Sequence, residues 1–137
     1  MSDASEGTGL PILVADDDPT IRKLIGDLLR ARGYIVAEAP DGLAACEAAE
    51  SSPPALVLLD VLLPKRDGYA VLLHLRSCES TRDVPVVLMS GESENEQAAI
   101  ARTLGAQSFL AKPFTLAALH AAVESAIRAA LENREPS

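Results

Sequence analysis

Four places in this sequence put a polar, chemically capable residue directly after a short aliphatic run. Ile12-Leu13-Val14-Ala15 leads into Asp16-Asp17-Asp18, and Leu56-Val57-Leu58-Leu59 leads into Asp60. Val86-Val87-Leu88-Met89 leads into Ser90-Gly91, and Phe109-Leu110-Ala111 leads into Lys112-Pro113. If the aliphatic runs are neighbouring strands, up to three carboxylates meet at one sheet edge, where unpaired they repel one another. A hard divalent cation relieves that repulsion, and one or two carboxylates plus waters suit Mg²⁺ better than a closed Ca²⁺ cage. Ser90 adds a hydroxyl, Gly91 lets the backbone approach a ligand closely, and Lys112 adds a point charge for a phosphoryl oxygen. A nucleophilic carboxylate, a metal, a hydroxyl donor and a cation form a set suited to phosphoryl transfer. Taken singly, Ser90 reads as a turn residue and Lys112 as a solvated charge. Asp18, followed by Pro19, is better explained as a helix cap than as a ligand.

The elements that would position these groups alternate regularly. Short apolar runs at Ile12–Ala15, Ile35–Glu38, Ala55–Leu59, Val84–Met89 and Ser108–Leu110 read as strands buried on both faces. Between them lie amphipathic stretches. The first helix follows Asp18-Pro19, carries Ile21, Leu24, Ile25 and Leu28 at helical spacing, and ends at Gly33. Helix two is predicted over about Gly42–Glu50, helix three over Tyr69–Cys78 with Val71, Leu72 and Leu75 inward, and helix four over Glu94–Leu104. Helix five spans about Leu116–Leu131, with Leu116, Leu119, Val123 and Ile127 on its core face and the small residues Ala118, Ala122, Ser125 and Ala129 beside them. Five such units predict a doubly wound α/β fold with a parallel sheet, in which ligands sit beyond the carboxyl ends of the strands.

Composition narrows the function. At 137 residues and 48% hydrophobic content the chain holds one domain's core, and with 3% aromatics that core is aliphatic. A net charge of −8 without a Lys/Arg cluster argues against direct nucleic-acid binding. Cys46 and Cys78 lack metal-ligand spacing and read as small buried hydrophobes of a reducing compartment. No apolar leader or membrane-length segment is present in the sequence, so the expectation is a cytoplasmic protein with no membrane contact.

The motifs ILVADDDP, LVLLDVLLPKRDGY, VPVVLMSG and FLAKPF resemble, in order and spacing, those of bacterial response-regulator receiver domains of two-component systems and phosphorelays. The resemblance covers about residues 11–131, leaving 1–10 as a disordered tail and 132–137 as a C-terminal tail. It implies the flavodoxin-like strand order 2-1-3-4-5 with five helices. It further implies Asp60 as phosphoacceptor, Mg²⁺ held directly by Asp17 and Asp60 and by the Leu62 carbonyl, and Asp16 as a ligand through water. Ser90 matches the switch hydroxyl, Lys112 its salt-bridging partner, and Phe109 the aromatic that turns with it. Pro64, Asp67 and Gly68 match the loop leading to helix three, and Pro113 a proline that is usually cis. The implied donor is a sensor histidine kinase or a histidine phosphotransfer protein. The implied output is a downstream protein, or a phosphorylation-dependent homodimer, on the face of helix four, strand five and helix five. With nothing after Ser137 in the sequence, a single-domain regulator is expected. Gly105-Ala106-Gln107-Ser108 lacks the acidic residues that DNA-binding paired receivers carry there, and Phe109 lacks a hydroxyl.

Four other readings are weaker. Asp16-Asp17-Asp18-Pro19-Thr20 also fits the D-x-D-x-T signature of haloacid-dehalogenase-type phosphohydrolases, with Asp16 as nucleophile and Asp18 as general acid. Nothing after Lys112 supplies that family's acidic fourth motif, and Asp60 is left without a role. A flavin binder would need a phosphate cradle where three aspartates stand. A degenerate receiver would need a missing acid or lysine, and none is missing. His74 and His120 sit on predicted helices away from the strand ends, and a histidine phosphotransfer module would be all-helical.

Overall fold

The structure, a computed structural model, describes residues 9–91 and 94–134. Its elements run β1 (Pro11–Ala15), α1 (Pro19–Arg30), β2 (Ile35–Ala39), α2 (Gly42–Ser51), β3 (Leu56–Asp60), α3 (Gly68–Ser77), β4 (Val86–Ser90), α4 (Glu94–Thr103), β5 (Ser108–Ala111) and α5 (Leu116–Arg134). All neighbouring strands pair in parallel, in the order β2-β1-β3-β4-β5. This is the doubly wound, flavodoxin-like topology expected from the sequence.

The two faces of the sheet follow from the strand period of two. Leu13 and Ala15 of β1, Val57 and Leu59 of β3, and Val86 and Leu88 of β4 point into one apolar cluster with Val71, Leu72 and Leu75 of α3. Ile12, Val14, Leu56, Leu58, Val87 and Met89 point into the other, with Ile25 and Leu29 of α1 and Leu119, Val123 and Ile127 of α5. Helices α1, α2, α3 and α5 start on side-chain caps that satisfy otherwise orphaned N–H groups. Asp18 accepts from Thr20 and Ile21, Asp41 from Ala44, Asp67 from Ala70, and the Thr115 hydroxyl from Ala118.

Several expectations are corrected. β2 is an edge strand, so Ile35 is 61% exposed rather than buried on both faces. β4 begins at Val86, because Pro85 has no N–H to donate to the ladder. Leu24 is exposed; it lines an apolar groove with Ile21, Leu28, Pro113, Phe114 and Leu116, while Leu29 takes the core position. Leu116, expected in the core stripe, is exposed, and Ala126 completes the stripe instead. Ala118 and Ala122, expected beside the core stripe, are half-buried and pack against it, while Ser125 is exposed. Gly9 and Leu10, assigned to the tail, are tied to Gly33 and Ile35 by backbone hydrogen bonds. α5 continues to Arg134, past the expected end at Leu131, since no proline or glycine intervenes before Pro136. Residues 1–8 and 135–137 of the expected tails lie outside the described residues.

Candidate acidic site at the carboxyl edge of the sheet

β1 and β3 are adjacent, and their carboxyl ends deliver Asp16 and Asp60 side by side. Asp16 is fully buried and Asp60 is 6% exposed, so both carboxylates depend on protein partners. Lys112, carried one residue past β5, supplies the common one: its Nζ donates to Asp16 Oδ2 at 2.8 Å and to Asp60 Oδ2 at 2.9 Å. The remaining oxygens are also held. Asp16 Oδ1 accepts from the Asp18 N–H at 3.0 Å, and Asp60 Oδ1 accepts from the Leu62 N–H at 3.0 Å.

Asp17, exposed beside this pair, completes a set of three carboxylates whose oxygens lie within 4.8 Å of one another. Three carboxylates thus face one ammonium. Burial pushes the Asp60 carboxyl above the usual range; Lys112 and the Leu62 N–H oppose the shift, and the Asp16 charge adds to it. For Lys112 burial alone would favour the neutral amine, but the hydrogen bonds and charges of Asp16 and Asp60 reverse this and hold its pKa above normal. The excess negative charge and the hard oxygen donors fit a divalent cation such as Mg²⁺.

The other residues singled out in the sequence fall around this pair. Ser90 ends β4, buried, opposite Ala111 of β5. Phe109, two residues earlier on β5, is half-buried against the cluster beneath α2, α3 and α4. The Lys112–Pro113 peptide bond is cis. In the loop after β3, Leu62 is 61% exposed, and the Pro64 carbonyl accepts from the Gly42 and Arg66 N–H groups. Asp67 caps α3, and Gly68 lies so close to the end of β3 that a Cβ there would stand 2.4 Å from the Asp60 carbonyl oxygen. Asp18 caps α1 and is not part of the carboxylate set.

Two supporting residues escaped the sequence reading. Arg22 Nη1 donates to the Asp16 carbonyl at 2.8 Å and its Nε to Glu38 at 3.2 Å, fixing the acidic loop from α1. Its signal, an arginine four residues after the Asp18 cap, is too common to be informative. Gly42 is the second: a Cβ there would meet the Arg66 carbonyl oxygen at 1.7 Å.

The model of the response regulator receiver domain matches residues 12–124. The chain belongs to that family. Among relatives, the transcriptional regulatory protein PdtaR of Mycobacterium tuberculosis is 37% identical over 127 residues, covering 92% of this chain and 60% of its own. The DNA-binding regulator RpaA of Synechocystis is 36% identical over 117 residues, covering 85% and 48%. This chain therefore spans less than two-thirds of the length of these curated relatives. Among solved structures, the receiver domain of NtrX from Brucella abortus aligns with a TM-score of 0.79 at 34% identity, covering 85% of this chain and 98% of that one. The chemotaxis protein CheY4 of Vibrio cholerae shares the fold, with a TM-score of 0.81 at 24% identity over 87% and 99%. Receiver domains are the signalling switches of two-component systems, and this membership replaces the phosphohydrolase alternative built on Asp16. Among the described residues no helix is long and apolar enough to cross a membrane.

Proposed function

We propose that this receiver domain takes a phosphoryl group from a phosphohistidine onto Asp60, in the presence of Mg²⁺, and thereby changes which proteins it binds. The reading rests above all on Lys112, whose single ammonium bridges two buried carboxylates while a third stands beside them. Asp17, Asp60 and the Leu62 carbonyl would hold the ion directly and Asp16 through water. Bound there, Mg²⁺ would offset the negative charge gathering on the phosphoryl oxygens.

Asp60 is the nucleophile because it is the carboxylate that ends β3, the central strand of the sheet. Leu62 N–H fixes one of its oxygens and Lys112 the other, which orients the group before any donor arrives. A carboxylate oxygen attacks phosphorus, the P–N bond of the phosphohistidine breaks, and the imidazole nitrogen keeps the electron pair. Lys112 then exchanges its contact with Asp60 for a phosphoryl oxygen, and the Ser90 hydroxyl moves in to donate to another. Attack of water on phosphorus later restores the Asp60 carboxylate and releases inorganic phosphate. The donor is a sensor histidine kinase or a histidine phosphotransfer protein in the cytoplasm.

The output runs through Phe109. It lies on β5 next to β4, close in register to Ser90, and is half-buried, so movement of Ser90 and Lys112 frees space for its ring to turn inward. The phosphoryl group biases this equilibrium only through its different contacts in the two states. The face of α4, β5 and α5 then binds a downstream protein or a second copy of the chain. Ser90→Ala tests the coupling: phosphorylation should persist while the gain in partner binding or self-association is lost. Loss of neither would place the lever elsewhere.

A further inference from the structure

A second group of metal-capable side chains stands apart from the acidic site. Helices in this fold run back from the carboxyl edge of the sheet, so the C-terminal ends of α2 and α3 lie at its opposite edge. There Glu50 of α2 meets His74 of α3 and Cys78, the residue that caps α3. One carboxylate oxygen, His74 Nε2 and Cys78 Sγ lie within 4.8 Å of one another. His74 and Cys78 are four residues apart and so share one face of the helix end. Cys78 Sγ is 3.6 Å from both Glu50 Oε2 and His74 Nε2, and His74 Nε2 is hydrogen-bonded to Glu50 Oε2.

We propose that Glu50, His74 and Cys78 form a Zn²⁺ site, with water as the fourth ligand, that pins the ends of α2 and α3 together. The donor types decide the metal: a thiolate and an imidazole select a borderline-soft ion over Mg²⁺, and carboxylate oxygen completes a set that Zn²⁺ accepts. The spacing decides the shape. With Zn–S near ~2.3 Å and Zn–N near ~2.0 Å, the sulfur-to-nitrogen edge of a tetrahedron is about 3.5 Å, which the two sulfur distances already match. On binding, the Cys78 thiol releases its proton to solvent, His74 gives up the Nε2 proton held toward Glu50 and keeps its ring proton on Nδ1, and the His74–Glu50 hydrogen bond opens around the ion. Access is free, since the Glu50 and His74 side chains are 41% and 35% exposed and Cys78 is half-buried. The nearby Cys46 is not a member: it is buried and its sulfur accepts from Arg66 Nη1.

The test is Co²⁺ titration of the metal-free full chain, kept reduced with a phosphine, followed by displacement with Zn²⁺. One equivalent of Co²⁺ should raise a thiolate-to-cobalt charge-transfer band with tetrahedral visible bands, and one equivalent of Zn²⁺ should abolish it. Cys78→Ser should remove the charge-transfer band, and His74→Gln should weaken Zn²⁺ binding at least ~10-fold. Cys46→Ser and Asp17→Ala should retain both properties. Circular dichroism checks the fold of each variant. Absence of the band in the parent chain, its survival in Cys78→Ser, or its loss in Cys46→Ser or Asp17→Ala would overturn the site.

Discussion

Gly68→Ala isolates the geometry that presents Asp60, because the substitution adds one methyl group and no charge. The added Cβ would sit 2.4 Å from the Asp60 carbonyl oxygen and 2.7 Å from Val61 Cα, both backbone atoms that cannot rotate away. Restoring an ordinary contact of 3.4 Å requires about 1 Å of separation between the start of α3 and the end of β3. Overpacking of this kind costs ~1–3 kcal/mol. At about 3–5 °C per kcal/mol for a domain of this size, the melting temperature should fall by roughly 3–15 °C. The shift acts on the residue that carries the nucleophile, and misplacement by ~1 Å can slow a reaction by up to about 100-fold. Gly91→Ala is the matched control for stability: among the described residues its Cβ meets nothing within 4 Å and Gly91 is not held at positive φ, so the melting temperature should stay near the parent value. Thermal melts and initial rates of phosphorylation by a small phosphodonor measure the two effects. A Gly68→Ala chain with unaltered melting temperature and rate would refute the close approach of α3 to Asp60.

Asp17→Ala should weaken Mg²⁺ binding and phosphorylation together, while Asp18→Ala should leave Mg²⁺ binding intact and cost ~1 kcal/mol through loss of the α1 cap; calorimetric titration and urea unfolding separate the two. In metal-free buffer Asp60→Asn should raise stability at neutral pH and lose that advantage in acid. Because burial raises the folded-state pKa of Asp60, the parent chain loses stability as pH rises from the ordinary carboxylate value through the raised one, and asparagine does not; urea midpoints across pH check this. Cys78 should alkylate in the native protein while Cys46, buried and with its thiol pKa raised mainly by that burial, reacts only on unfolding; peptide mapping after timed iodoacetamide exposure reads both rates.

Much of this was legible before the fold because the strands are short, apolar and terminated by the residues that matter. Asp16, Asp60, Ser90 and Lys112 each follow an aliphatic run, so a parallel sheet necessarily gathers them at one edge. Apolar spacing on helices was a poorer guide. It identifies a hydrophobic face but not which part of a wide face touches the sheet: Leu116, expected on the core face, lines a groove instead, together with Leu24 of the apolar series on α1. Alternation likewise could not show that β2 is an edge strand, since edge position is a property of topology. Pairings across long separations were invisible: Arg22 to the Asp16 carbonyl depends on how α1 leaves its cap, and Glu50 meets His74 only because α2 and α3 pack side by side.

The central claim is tested most directly by locating the phosphoryl group. After incubation with Mg²⁺ and a small phosphodonor, borohydride reduction converts an aspartyl phosphate to homoserine, which peptide mass spectrometry places in the sequence. One modified residue, Asp60, with no modification in the Asp60→Asn chain, is the result expected. Homoserine at Asp16, or incorporation that persists in folded Asp60→Asn, would contradict it.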